Sequence, residues 1–356
     1  MRGDVVDALK KCAEALQHGK PRLANAEMGR VLDLAEEETK PTTRRLIGYF
    51  AQALACRAYG LHPKYFSFPS PDWKHRMCDR YGLFSTVGRY ISDIVKGKCK
   101  VHVIELVKHM DGYKQWASIF PAIGYGGDLT HLRLSFLVQE TVEFSKESEE
   151  ATYYWASKRR HIELEYKIIA VNSFADIDVS LLEMRDDEFV VVNCMFVFSK
   201  MLSEALALEK LLQRVRDVMR VDVMIVVEHD ANHNQSDFLL RFNESLRYYS
   251  SLFGEYNHFR ETEPYYRYQI GNMVACEGSN RVERQQTWAQ WKSLLIHYGF
   301  SIFNSIIKWK NDEYEEWMED GILSILRGET EMRPVFFISA WKTSTSPFKS
   351  SGSNEG

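Results

Sequence analysis

Residues 101–106, with the sequence VHVIEL, give the clearest indication of the fold. Apolar, mostly β-branched residues at this density are typical of a strand that is buried on both faces of a parallel sheet. Helical patterns separate most such stretches, most clearly at 195–216 and 237–253. This alternation predicts an α/β fold with a largely parallel sheet and helices on both faces. The other predicted strands are LRLSFLV (132–138), IELEYKII (162–169), FVVVN (189–193) and VDVMIVVE (221–228).

The end of the chain departs from this alternation. GILSIL (321–326) and PVFFISAW (334–341) are joined only by RGETEMR, which leaves no room for a helix. We therefore predict a terminal antiparallel hairpin at the edge of the sheet. A mostly parallel sheet closed in this way is the layout of Rossmann-like, methyltransferase-like folds, and this layout alone does not imply their chemistry.

The first 60 residues have the apolar spacing of amphipathic helices. One helix ends before Gly19, a second begins at Pro21, and a third begins near Thr42 or Thr43 and ends near Gly60. We predict an N-terminal helical cap at 1–60, a Rossmann-like α/β core at 61–342 and a disordered, Ser- and Gly-rich tail at 343–356. The apolar stripes of the cap fit either core or an interface. Their candidate partner-binding residues are Leu9, Leu16, Leu32, Leu46, Phe50 and Leu54.

Composition narrows the class of protein. The 356 residues are 45% hydrophobic and 26% charged, with a formal net charge of −4, so the basic excess of a free-standing nucleic-acid module is missing. The six cysteines are scattered without a CxxC pair, which is typical of free thiols in a reducing compartment. Apolar runs stay shorter than a membrane span needs. We expect a soluble intracellular protein without a membrane partner.

Several stretches resemble motifs of the GRAS family of plant transcriptional regulators, in the family's order and over almost the whole chain. ANHN, RVER and SAW together make the resemblance specific. Two segments depart from it: Glu105 stands where the family usually has aspartate, and Phe198 and Ser199 replace the usual Leu-His pair. The stretches are ALKKCAEAL (8–16), GYFAQALACRAYG (48–60), KVHVIELVKHMDGYKQW (100–116), EFVVVNCMFVFSKMLSE (188–204), EHDANHNQSDFLLRFNESLRYYSSLF (228–253), NMVACEGSNRVERQQTWAQWKSLLIHYGF (272–300) and FISAW (337–341).

The resemblance implies a function as well as a fold. It implies a scarecrow-like regulator, without enzymatic activity, located in the nucleus or in both the nucleus and the cytoplasm. It implies homo- or heterodimers with other GRAS proteins, docking to zinc-finger transcription factors of the INDETERMINATE-DOMAIN type, and indirect contact with DNA. The alternatives are a small-molecule-binding or methyltransferase-like enzyme on the same fold, and a factor that binds DNA directly.

The turn after VHVIEL argues against a cofactor. S-adenosylmethionine or a dinucleotide needs glycine there, so that the backbone can approach the ligand. Val107 to Asp111 all carry a β-carbon. We therefore expect no cofactor, although the carboxyl ends of the strands still place Glu105, Glu140 and Glu228 near a crevice.

A metal site is also disfavoured. Glu228, His229, Asp230 and His233 lie close in sequence, but His229 and His233 share a face only on a helix, and this segment follows a strand. We predict a loop, with Ser236 as N-cap of the next helix. Asn232, His233 and Asn234 are expected to satisfy backbone groups of that turn.

The remaining motif residues have structural and functional interpretations. His102 and Glu105 belong to the VHVIEL motif. Arg281, Glu283 and Arg284 of the RVER stretch are expected to form an internal ion-pair network or, alternatively, to contact a partner. Trp288, Trp291 and Trp341 fit the core better than an interface. The basic run 157–161 is interpreted as the solvated end of a helix or, alternatively, as a weak nuclear-import signal.

Overall fold

The computed structural model describes residues 1–61, 78, 82–107, 116, 119, 128–139, 162–254, 262–303, 315–319, 322–326 and 336–343. Everything below concerns these residues. Several predictions lie outside them: the turn residues 108–111, Glu140, the basic run 157–161 and the tail from residue 344 onward.

A single sheet runs through the described part of the chain and has the strand order β3-β2-β1-β4-β5-β9-β8-β7, with β6 paired to β9. The first five strands are parallel, which confirms the predicted α/β sheet. The order reverses between β1 and β4, which makes their carboxyl ends the switch point of the fold. The strands are β1 (Lys100–Val107), β2 (His131–Gln139), β3 (Glu163–Val171), β4 (Phe189–Met195), β5 (Val223–His229), β6 (Phe300–Ile302), β7 (Glu315–Glu319), β8 (Ile322–Leu326) and β9 (Phe336–Thr343).

The C-terminal strands form the antiparallel side of the sheet. β8 pairs with β9 in antiparallel register, which confirms the predicted terminal hairpin. β9 inserts between β8 and β5, so the SAW motif (339–341) lies inside the sheet and not at its edge. The short strands β6 and β7 were not predicted from the sequence.

Two layers of helices cover the sheet, because successive side chains of a buried strand point to opposite faces. One face, with Val101 and Val103 of β1, packs against α1 to α4, α7 and α8. The other face, with Ile104 and Leu106, packs against α5, α6 and α9. The helices are α1 (Gly3–Gln17), α2 (Pro21–Glu36), α3 (Pro41–Ala58), α4 (Leu83–Ile94), α5 (Phe198–Met201), α6 (Ala207–Asp217), α7 (Phe238–Gly254), α8 (Glu263–Ala275) and α9 (Trp288–His297).

The three N-terminal helices share one apolar core with the sheet. Phe50 of α3 packs edge-on against Phe242 of α7, with ring centroids 5.8 Å apart. The guanidinium of Arg45 donates two hydrogen bonds, of 2.7 and 2.6 Å, to the carboxylate of Glu263 on α8. The helical cap therefore exists as predicted. Its boundary at residue 60 as a separate domain stays a prediction.

Two local predictions are wrong. The helix expected at 195–216 is interrupted: Phe196 takes a φ of 54° while its N–H donates to the carbonyl of Val227 on β5, and Leu206 takes a φ of 58° before α6 begins. The N-cap expected at Ser236 is one residue later, since the backbone N–H of Leu240 donates to Oδ1 of Asp237 at 2.8 Å.

Candidate functional site

The switch point of the sheet is joined by direct hydrogen bonds. Glu105 of β1 lies opposite Asn193 of β4, and Asn193 Nδ2 donates to Glu105 Oε2 at 2.8 Å. The indole N–H of Trp116 donates to the same oxygen at 3.1 Å. All three side chains are almost completely buried. This is where an open α/β sheet with this order would hold a ligand.

The arrangement is that of a buried structural contact. Two donors stabilise the Glu105 carboxylate, and the bulk of Trp116 lies against Phe136 of β2, with ring centroids 6.3 Å apart. The side chains of residues 108–111, which were predicted to obstruct a cofactor, lie outside the described residues. The contact between Trp116 and Glu105 is therefore the observation that bears on the crevice at the carboxyl ends of the strands. Within the described ranges, His, Cys, Asp and Glu side chains form no group of three that could hold a metal ion.

His102 belongs to a second buried polar group, at the other end of β1. Its Nε2 and the hydroxyl of Ser135 are 2.7 Å apart, and its Nδ1 lies 3.0 Å from Arg133 Nη2. Arg133 also pairs with Glu188 and donates to the carbonyl of Leu182 at 2.7 Å. Burial, followed by the charge of Arg133, lowers the pKa of His102 to about 3. The ring is therefore neutral, and it connects β1 to β2.

A third polar group lies where β5 ends against α7 and α8. The ring of His229 forms a hydrogen bond through Nδ1 with the hydroxyl of Tyr248 at 2.8 Å. Gln269 Nε2 donates to the hydroxyl of Tyr265 at 2.8 Å and to Glu283 Oε2 at 2.9 Å. Burial raises the pKa of Tyr265 well above its usual value, so its hydroxyl keeps its proton. The network fastens the RVER segment to two helices.

The ANHN segment forms a loop, as predicted, and it runs beside residues 285–288. His233 Nδ1 and Gln285 Oε1 are 2.6 Å apart, and the backbone N–H of His233 donates to the Gln285 carbonyl at 3.0 Å. Burial lowers the pKa of His233 to about 4. The expectation that the side chains of this loop satisfy backbone groups is wrong for His233 and Asn234, because Asn234 Oδ1 accepts from Arg284 at 3.5 Å.

Asn232 contacts its surroundings through backbone and side chain. Its backbone N–H donates to Glu244 Oε1 at 3.4 Å, and its Oδ1 accepts from Gln290 Nε2 at 3.4 Å. These contacts connect the loop to α7 and to the start of α9. The rings of His229 and His233 hydrogen-bond to different residues, Tyr248 and Gln285, and both pack against Tyr248.

Arg281 and Glu283 of the RVER stretch are buried and Arg284 is partly buried, but of these three only Glu283 forms an ion pair among the described residues. Glu283 lies 3.7 Å from Lys200 Nζ. Arg281 donates to the carbonyl oxygens of His233 and Gln235, at 2.8 and 3.1 Å. Arg284 donates to the carbonyl of Gly278 at 2.7 Å. Carbonyl acceptors, more than carboxylates, therefore hold these guanidiniums.

The tryptophans behave as core residues. Trp291 and Trp341 are fully buried, and Trp291 packs on Phe198 with ring centroids 5.9 Å apart. Trp288 is partly buried and its ring centroid is 5.6 Å from that of Trp341. Phe198 therefore fills a core position in the segment that departs from the family's Leu-His pair.

Four of the six candidate partner-binding residues of the cap do not fit that role. Leu9, Leu46, Phe50 and Leu54 are at most 1% exposed, because α1 and α3 pack into the main core. Leu16 is half-buried against the same core. Leu32 on α2 is 53% exposed and stays a candidate.

Two residues of the switch point were not identified from the sequence. Asn193 interrupts an otherwise apolar strand, FVVVNCM, and this interruption is a signal that could have identified it. Trp116 had no such signal, because its contact with Glu105 depends on how the chain returns after β1.

Comparisons with known proteins agree on one family. A model of the GRAS domain family matches residues 5–306. The chain is 34% identical to DELLA protein GAI1 of Vitis vinifera over 84% of its own length, and 33% identical to DELLA protein RGA of Arabidopsis thaliana over 97%. It spans 53% and 62% of those relatives, which is less than two thirds of their length.

A solved structure shows the same fold. The crystal structure of SCL7 in Oryza sativa superimposes with a TM-score of 0.74 over 96% of this chain and 100% of that one. The sequence identity is 20%, so this likeness concerns the fold alone.

Proposed function

The chain belongs to the GRAS domain family, and from that premise we propose that it is a nuclear regulator of plant transcription that acts by binding other proteins. Its partners are other GRAS chains, including a second copy of itself, and zinc-finger transcription factors of the INDETERMINATE-DOMAIN type. Contact with DNA is indirect, through those factors. The family resemblance supports each of these statements.

The exposed apolar side chains of α2 are the observation that carries the proposal. Leu23 is 47% exposed and Leu32 is 53% exposed, although both lie on a helix of the apolar cap. α2 buries only Ala24 and Val31 completely. Met28, one turn before Leu32, is half-buried. Leu32, with Met28 one turn before it, is therefore the part of α2 that we assign to a partner.

The contacts at the switch point favour a structural role there over a cofactor site. A methyltransferase-like enzyme would need room there for its cofactor, whereas Glu105, Asn193 and Trp116 contact one another directly. The depressed pKa of His102 belongs to a buried ring that is bonded to Ser135 and Arg133. Both groups are explained by stability, because buried polar groups require such partners.

The test compares two neighbouring residues of α2. Leu32→Glu places a charge on the exposed face and should weaken self-association at least about tenfold without lowering the melting temperature. Val31→Glu places the same charge in the core and should unfold the protein, because an unpaired buried charge is costly. Sedimentation velocity gives the association, and circular dichroism gives the melting temperature.

Ile296→Glu is the matched control, since Ile296 is 52% exposed on α9, on the other face of the sheet. It should leave association unchanged. A wild type that is monomeric at tens of micromolar, alone and with a second GRAS chain, contradicts the proposal. So does equal weakening by Leu32→Glu and Ile296→Glu.

A further inference from the structure

Four arginine side chains gather where α3 ends, α7 begins and the RVER segment passes. They are Arg57, Arg241, Arg281 and Arg284, here called the arginine cluster. Arg57 Nη1 and Arg241 Nη2 donate to the same oxygen, Glu277 Oε1, at 2.9 and 2.5 Å.

A second shared acceptor extends the cluster. Arg241 Nη1 and Arg281 Nη1 both donate to the carbonyl of Gln235, at 2.8 and 3.1 Å. Arg284 bonds to the residues next to these acceptors. Its Nη2 donates to the carbonyl of Gly278, which follows Glu277, at 2.7 Å, and its Nη1 donates to Oδ1 of Asn234, which precedes Gln235, at 3.5 Å. Shared and adjacent acceptors therefore bring the four guanidiniums together.

Among the described residues, the cluster carries more positive charge than its neighbours neutralise. In the described part of the chain, Glu277 is the carboxylate that pairs with it, through Arg57 and Arg241. The Nε–H groups of Arg281 and Arg284 are buried and meet no acceptor among the described residues. Burial, followed by the charges of Arg241 and Arg284, lowers the pKa of Arg281 to about 10. Like charges this close favour an added anion.

Part of the cluster reaches the surface, and exposed apolar residues neighbour its arginines along the chain. The Glu277 side chain is 47% exposed and that of Arg57 is 19% exposed. Within two residues of a cluster arginine in the chain are Tyr59, Leu240 and Val282, which are 71%, 57% and 37% exposed. The guanidinium of Arg57 lies 3.6 Å from the ring centroid of Phe238, which places the end of α3 against the start of α7.

We propose that the arginine cluster and these apolar side chains form a docking surface for an acidic, apolar segment of a partner protein. A carboxylate of that segment binds beside Glu277, to Arg57 and Arg284, while its apolar side chains contact Tyr59, Leu240 and Val282. The inference rests on the proposed function, because it names the chemistry of one partner of a protein-binding regulator.

The surroundings favour a protein segment over nucleic acid. Phosphate backbones are bound by exposed rows of Lys and Arg, whereas Arg241 and Arg281 are 0% and 3% exposed, and their hydrogen bonds go mostly to carbonyl oxygens. Tyrosine and arginine are the types enriched in protein interfaces, and the exposed Tyr59 follows Arg57 by two residues. The formal net charge of −4 adds no general attraction for DNA.

The experiment measures binding of a short fluorescein-labelled peptide of alternating aspartate and leucine, by fluorescence anisotropy. Wild type should bind it saturably in the micromolar range, and more weakly as salt is added. Arg57→Gln and Arg284→Gln should each weaken binding about tenfold, the effect of one charge-assisted hydrogen bond. Glu277→Gln should tighten binding several-fold, because it removes the competing carboxylate and keeps an acceptor oxygen for the cluster.

If the cluster docks the peptide, Glu277→Gln tightens peptide binding. If Glu277 only holds the arginines in place, the same variant weakens peptide binding, as the arginine variants do. Arg220→Gln, on an exposed arginine outside the cluster, is the control and should change nothing. Equal binding of a lysine–leucine peptide, displacement of the peptide by duplex DNA, or no saturable binding overturns the inference. Self-association measured on the same protein shows separately whether the proposed function stands.

Discussion

At the residue scale, the buried histidines His102 and His233 connect sequence motifs to stability. Each lies in a motif, and each is hydrogen-bonded inside the protein, to Ser135 and to Gln285 respectively. The sequence predicted a structural role for both, but it could not give their partners, which lie 33 and 52 residues further along the chain. Their environment is a tertiary property.

The two rings predict that the protein loses stability in mild acid. Their pKa values are lowered by burial from 6.5 to about 3 and about 4. Below about pH 6.5 the two histidines are protonated in the unfolded chain but stay neutral in the folded chain. The free energy of unfolding therefore falls as the pH falls towards their pKa values in the folded protein. Urea unfolding at about pH 7 and about pH 5 should show this loss. His233→Gln should reduce the pH dependence, and an unchanged dependence contradicts the assignment.

At the element scale, residues 183–188, which directly precede β4, connect β1, β2 and β3 through ion pairs. Their five charged residues all pair with residues of other elements or turns, from Lys100 of β1 to Arg220 before β5. From the sequence alone, such a run of charged residues would be interpreted as a solvated loop, because its partners are distant in the chain. The pairs are Lys167–Glu183, Glu165–Arg185, Arg220–Asp186, Lys100–Asp187 and Arg133–Glu188.

The burial of each pair determines how much it contributes to the free energy of unfolding. The side chains of Arg133 and Glu188 are 8% and 4% exposed, whereas those of Arg220 and Asp186 are 76% and 85% exposed. Glu188→Ala leaves Arg133 buried beside His102 and should lower the free energy of unfolding by about 3 kcal/mol. Asp186→Ala, two residues away, should hardly change it, because exposed pairs are screened by solvent. Urea denaturation measures both, and equal losses would mean that burial is not the deciding property.

The whole molecule shows which level of structure the sequence could predict. Strand patterns predicted β1 to β5 and the terminal hairpin, most clearly at β1, β2, β4 and β5, where burial on two faces leaves long apolar runs. It could not separate core from surface in the cap: Leu9 and Leu32 have similar places in their helical stripes, and only the packing of α1 and α3 on the sheet buries the first and leaves the second exposed. Asn193 and Trp116 became recognisable only when the topology placed them beside Glu105.

The same topology leads to the last prediction, which concerns S-adenosylmethionine. A ligand at the switch point would approach the buried ring of Trp116, which donates to Glu105, and Glu105 in turn accepts from Asn193 at 2.8 Å. We therefore expect millimolar S-adenosylmethionine to give no saturable heat in calorimetry and no rise in melting temperature, which a ligand specific for the folded state must cause.

Variants of Glu105 separate the structural contact from a binding site. Glu105→Ala removes the acceptor of two buried donors and should lower the free energy of unfolding by about 2 to 4 kcal/mol, whereas Glu105→Gln keeps an acceptor oxygen and should cost less. Neither variant should alter the response to S-adenosylmethionine if the contact only stabilises the fold. Micromolar binding by the wild type that Glu105→Gln abolishes, with the melting temperature intact, would instead make this contact part of a ligand site, because a lost acceptor can remove affinity without unfolding only where the ligand itself is bound.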